Sequence, residues 1–137
     1  MSDLFEEHRN FVKHGGIGLV ARHFSDIFQL FNLANHLPET LIVVSSDLSH
    51  YLPYAVGRRV DTETAEAIVR LDQAPIAHER ACGATPVNGL LEVARRRGLF
   101  PVLIDLESSG DTAGDRAEVV GYGAFAFYEQ GGGDADA

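Results

Sequence analysis

Apolar residues recur along this chain with two different spacings, and their alternation predicts helices mixed with strands. Leu4 to Val12 reads as a short helix, broken by His14-Gly15-Gly16-Ile17-Gly18. Phe24, Ile27, Phe28, Phe31 and Leu33 then recur at roughly helical spacing and stop near Asn35-His36-Leu37-Pro38. Leu41 to Ser46 reads as a strand; its aliphatic run has no polar face, as expected of a central, parallel strand. Tyr51-Leu52-Pro53-Tyr54 reads as loop, because Pro53 opposes a helix there. Asp61 reads as the N-cap of a helix to about Leu71, with Thr64, Ala67, Ile68 and Leu71 on one face. Thr85 and Pro86 mark a further helix start, with proline at the first helical position. Its buried stripe is Val87, Leu90, Leu91 and Ala94, and Gly98 ends it.

The remainder reads as a short strand from Pro101 to Leu106, a loop of turn formers from Ser108 to Arg116, and a last strand from Glu118 to Tyr128. In that strand Val119, Gly121, Gly123, Phe125 and Phe127 share one face, and the two glycines predict a close backbone approach or a bulge. Residues 129–137 read as a disordered tail. The fold class is α/β, a layered sheet with flanking helices. Three strands are few for such a sheet, which implies a part that lies elsewhere or a partner covering one edge.

Size and charge narrow the function. The 137 residues make one domain of ordinary length, enough for a real core. A net charge of -9 argues against nucleic acid as partner. The one basic run, Arg95-Arg96-Arg97, falls in the last turn of a predicted helix, where cations complement the helix dipole. A single cysteine excludes an internal disulfide. No run approaches the ~20 apolar residues that span a bilayer, and no signal-peptide order opens the chain, so the expectation is cytoplasmic residence without a membrane partner.

The aliphatic run stops abruptly at Ser45-Ser46-Asp47, and His50 follows three positions after the carboxylate. In open α/β sheets ligands bind beyond the carboxyl ends of strands. Asp47 and His50 can converge there, the Asp orienting an imidazole acid/base, or both ligating a metal. Asp and Ser at such a place also serve simply to cap a turn. Cys82 lies four residues before Pro86, near a helix start whose backbone N–H groups favour a thiolate, the form that binds metal or attacks carbon. A small hydrophobe in a tight turn is the plainer reading of the same residue. The Ser108–Arg116 loop offers hydroxyls, carboxylates and an arginine, fit for a pocket rim or for a plain surface turn. Gly16-Ile17-Gly18-Leu19-Val20-Ala21 matches a loose dinucleotide fingerprint, but no strand precedes it, so no nucleotide cofactor is expected.

Three segments taken together resemble a known family. Val43-Val44-Ser45-Ser46-Asp47-Leu48-Ser49-His50-Tyr51, then Ala81-Cys82-Gly83-Ala84-Thr85-Pro86-Val87, then Ser109-Gly110-Asp111-Thr112-Ala113-Gly114-Asp115-Arg116 with Val119-Val120-Gly121-Tyr122 are similar, in order and spacing, to the Memo family. Its prokaryotic members are also called AmmeMemoRadiSam system protein B. The resemblance covers residues 22–128 and corresponds to the C-terminal half of a family protein; residues 1–21 have no counterpart, as after a truncation or a frame change. It implies a class III extradiol dioxygenase-like fold with a non-heme, metal-type pocket. Cys82 then supplies a thiolate ligand, with His50 and Asp47 as further ligands or as the catalytic acid/base pair. The metal implied is iron or copper. The family's two histidine motifs, of the Pro-His-Ala-Gly and Gly-Pro-Ser-His types, are not matched by His14-Gly15-Gly16 or His23-Phe24. A degenerate site is therefore expected, with at most three protein ligands. Partners implied are an AMMECR-like protein, a radical-SAM protein, a polypeptide carrying the unmatched half, or a second copy of this chain, and self-association is expected.

Overall fold

In the computed structural model, residues 42–112 and 114–130 are described. The helices expected within residues 1–41, Leu41 itself, and residues 131–137 lie outside them. The described chain runs through a short strand β1 (His50–Leu52), helix α1 (Tyr54–Val69), helix α2 (Ala84–Arg97), strand β2 (Phe100–Ser108), the single turn α3 (Ser109–Thr112) and strand β3 (Val119–Tyr128).

Helix α1 begins directly after Pro53, which overturns both the expected loop over Tyr51–Tyr54 and the expected start at Asp61. Pro53 has φ -56° and ψ 143°, the conformation of a residue just outside a helix. Its missing N–H is one that a helix start could not have used. Asp61 instead sits mid-helix, within the buried stripe Gly57, Asp61, Thr64, Ala65 and Ile68. That stripe has the spacing of one helical face. The helix closes through Leu71 N–H to Ile68 C=O (3.1 Å) and Asp72 N–H to Ala67 C=O (3.0 Å). Leu71 takes φ 54° there, a place usually given to glycine.

Helix α2 starts two residues earlier than proline placement suggested, and Gly98 ends it with φ 65°. Asn88 clamps the preceding loop onto it, accepting from Ile76 N–H (2.8 Å) and donating to Ile76 C=O (2.9 Å). The basic run is structural: Arg95 and Arg96 pair with Glu92 at 2.9 and 2.7 Å, and Arg95 donates to Asp72 C=O at 2.8 Å.

The sheet is three-stranded, ordered β1-β3-β2 and antiparallel throughout. The expected parallel strand over Leu41–Ser46 is corrected: residues 42–49 form no strand. A strand needs a neighbour for its N–H and C=O groups, and among the described residues only the end of this run has one. Leu48 N–H donates to Gly121 C=O and Gly121 N–H donates to Ser49 C=O, each at 2.9 Å. Ile42, Val43 and Val44 line an apolar hollow of about 750 Å³ together with Leu91, Phe125 and Phe127.

One face of β3 carries the core. Ile68, Ile76, Ala81 and Leu91 are buried together, with Phe125 and Phe127 packed against them. Strand β2 keeps its inward face despite an irregular sequence. Leu103 pairs with Phe125 and Asp105 with Ala124, so Ile104 is an extra residue. That bulge shifts the alternation and returns Leu106 and Ser108 to the inner side. The other sheet face leaves Phe100, Tyr122 and Tyr128 exposed among the described residues.

Candidate metal centre

The residues Asp47, His50 and Cys82 arrive from two segments and meet. Their potential donor atoms, a carboxylate oxygen, an imidazole nitrogen and Sγ, all lie within 4.8 Å of one another. Among the described residues no other His/Cys/Asp/Glu group of this kind occurs. Donors held tetrahedrally at about 2.0–2.3 Å from one ion stand about 3.3–3.8 Å apart, so contraction of the cluster would let the three share a metal.

Cys82 and Asp47 are bound to each other at the level of the backbone. Cys82 N–H donates to Asp47 C=O (3.2 Å), and Asp47 N–H donates to Cys82 Sγ (3.3 Å). Ser46 completes the junction. Its Oγ donates to Asp47 C=O (2.7 Å), accepts from Gly83 N–H (2.9 Å) and stands 3.8 Å from Cys82 Sγ. Gly83 is needed for this approach, since a Cβ there would stand 2.9 Å from Ser46 Cβ.

His50 opens β1 and faces Asp47, with Nε2 3.6 Å from Oδ2. This is ion-pair distance rather than a hydrogen bond. Both side chains are partly open, Asp47 at 49% and His50 at 31% exposure. The thiol is exposed too. The aim of His50 is set by a bulge. His50 pairs with Val120 and Leu52 with Val119, leaving Tyr51 as the extra residue, with φ 57°. A non-glycine residue held there costs about 1–3 kcal/mol, and such strain gathers at functional sites. The Tyr51 ring lies 5.8 Å from the imidazole, centre to centre.

The loop Ser108–Arg116 is spent on α1 rather than on this cluster. Asp111 accepts from Tyr54 Oη (2.6 Å), Ser108 N–H (2.8 Å) and Ser108 Oγ (3.0 Å). Arg116 stacks over the Tyr54 ring at 4.2 Å. The hydrogen bond from Tyr54 and those from Ser108 hold the Asp111 carboxyl below the usual carboxylate range, although partial burial opposes them. The same bond pushes the Tyr54 phenol up.

Sequence reasoning passed over two residues. Ser46 reads in the sequence as part of a capping run, although it touches both sides of the junction. Asp61 reads there as a helix cap, yet it is fully buried and its Oδ1 accepts from Ser49 N–H at 2.9 Å. An acidic residue in phase with Gly57, Thr64, Ala65 and Ile68 was the available signal.

A family model described as Memo-like protein matches residues 21–126. The chain belongs to the Memo family. A MEMO1 family protein of Aeropyrum pernix is 37% identical over 90 residues, covering 61% of this chain and 32% of that protein. One from Methanosarcina barkeri is 36% identical over 90 residues, covering 60% and 34%. One from Aquifex aeolicus is 34% identical over 91 residues, covering 61% and 34%. The matched part of this Memo-family chain spans about a third of the length of these relatives. No solved structure matches it. No helix among the described residues is long and apolar enough to cross a membrane.

Proposed function

We propose that this chain binds a redox metal, iron or copper, through Cys82, His50 and Asp47. The observation that carries this reading is the convergence of three different donors within 4.8 Å on a locally braced junction. The donor set fits such an ion: thiolate and imidazole suit iron and copper, and a carboxylate adds charge. The ion would supply Lewis-acid and redox chemistry. His50, partly exposed beside a carboxylate, would take up or release a proton at Nε2 when it is not a ligand, with Asp47 orienting it. The pocket is proposed to be of the non-heme, class III extradiol dioxygenase type, belonging to an AmmeMemoRadiSam system protein B acting in the cytoplasm. Metal analysis of chain purified without chelator tests the reading. Iron or copper at near-stoichiometric level, lost in Cys82→Ala, is the expected result. Absence of iron, copper and zinc, unchanged by the substitution, would defeat it.

A second reading is favoured by the sheet face left exposed among the described residues. Phe100, Tyr122 and Tyr128 are 58%, 43% and 56% exposed, and large apolar side chains grouped on one face suit a protein contact. The chain would then be a non-catalytic module working with AMMECR-like and radical-SAM partners, or with a polypeptide carrying the remainder of a Memo-type domain. Co-purification of such a protein that survives Asp47→Ala would support this reading over the first.

A further inference from the structure

The three donors rest on a carboxylate that takes no part in the cluster. Asp61 is fully buried in the middle of α1, a position whose neighbours on the stripe are Gly57, Thr64, Ala65 and Ile68. Burying a carboxylate is costly unless its oxygens are engaged. Here Oδ1 accepts from Ser49 N–H at 2.9 Å, while Oδ2 and the neighbouring Ser49 Oγ have no hydrogen-bond partner among the described residues. Room for the carboxylate comes from Gly121, where any Cβ would overlap it.

The place of Ser49 gives this arrangement a meaning. It lies between Asp47 and His50, so their relative position depends on the three peptide groups that join them. Asp47 C=O is held by Cys82 N–H and Ser46 Oγ. Leu48 N–H and Ser49 C=O are held by Gly121. Ser49 N–H, in the middle peptide, is held by Asp61. Each linking peptide is therefore anchored, and the central one depends on a single buried side chain. We propose that Asp61 is the positioning residue of the Asp47–His50–Cys82 cluster, fixing the Asp47-to-His50 segment through Ser49 N–H so that the donors converge. This inference rests on the metal-binding reading above.

Cobalt(II) titration tests it, followed by the thiolate-to-cobalt absorption band and accompanied by circular dichroism and urea unfolding. Substitutions one shell behind metal ligands typically weaken binding about 10- to 100-fold. Asp61→Ala is expected to remain folded and to bind cobalt at least about tenfold more weakly. Asp61→Asn keeps an oxygen acceptor for Ser49 N–H and is expected to stay near the wild-type affinity. Ser49→Ala, which keeps the N–H, is expected to bind as wild type does. If Asp61→Ala does not fold, Gly121→Ala displaces the carboxylate from the opposite side and is expected to weaken cobalt binding likewise. Wild-type affinity in folded Asp61→Ala or Gly121→Ala would overturn the positioning role. Loss in Asp61→Asn equal to that in Asp61→Ala would also overturn it, since charge rather than the hold would then matter. A wild-type chain that gives no band overturns the metal reading itself, a result distinct from both.

Discussion

Asp47 and Cys82 grip each other twice: the amide of each reaches the other, one ending on a carbonyl oxygen at 3.2 Å and one on sulfur at 3.3 Å. The sulfur is thus an acceptor for the very residue whose carboxylate stands beside it. Thirty-five positions of sequence separate the two. Neither can move without disturbing the other, so substitution at either should be felt at both.

Cys82→Ala removes that acceptor at an exposed place, where water can replace it. We expect a loss of at most about 1 kcal/mol in urea unfolding. The larger effect is on ligand-linked stability. Ferrous iron added anaerobically at 100 times its dissociation constant should raise wild-type stability by about 2.7 kcal/mol. Chelator should reverse the gain, and Cys82→Ala and His50→Ala should show little of it.

Gly121→Ala should be among the most damaging small changes in the chain. Its methyl group would meet the Asp61 carboxylate in a fully buried place. Overpacking of this kind costs about 1–3 kcal/mol. Asp61→Ala alone leaves Ser49 N–H buried without an acceptor, again about 1–3 kcal/mol. The double variant should lose less than the sum, because the collision disappears with the carboxylate. Additive losses in urea unfolding would contradict the packing described.

The Asp111–Tyr54 bond predicts a pH response with a definite sign. Asp111 titrates lower in the folded chain than in the unfolded one, first because Tyr54 donates to it. Its contribution is therefore complete above the unfolded value, near 4, and is lost as pH falls through the lower folded value. Tyr54 titrates higher when folded, so its share is complete below about 10 and is lost as pH rises further. Urea midpoints measured from pH 2.5 to 5 should fall towards acid in the wild type and should be flatter in Tyr54→Phe and Asp111→Asn.

Leu91 is 2% exposed at the centre of the core between α1, α2 and β3. Leu91→Ala should cost about 2–5 kcal/mol, with a shift in urea midpoint and little change in slope.

Much of this was legible in the sequence. Helix α2 declared itself through Leu91, Ala94 and the terminal Gly98, all local signals that tertiary contacts reinforce. Strand β3 declared itself through its period of two. The glycines there did mark a close approach, and the bulges fell on the two neighbouring strands, at Tyr51 and Ile104. The three site residues were legible as types, and the structure brings all three together. Asp61 and Pro53 misled for one reason: each resembles helix punctuation, but capping is decided by burial and by what lies across the fold. The aliphatic run misled because hydrophobicity on both faces signals burial, whereas a ladder also requires a strand alongside. Nothing local in the sequence reveals that neighbour.

Gly83 bears on how such a cluster could be altered by design or by drift. With Ser46 Cβ 2.9 Å and Ser45 C=O 3.0 Å from where its own Cβ would stand, no side chain can be grafted at this position without prising the junction apart. The position after the sulfur is thereby barred from delivering a donor of its own. Any further donor for the proposed ion would have to come from elsewhere than this position.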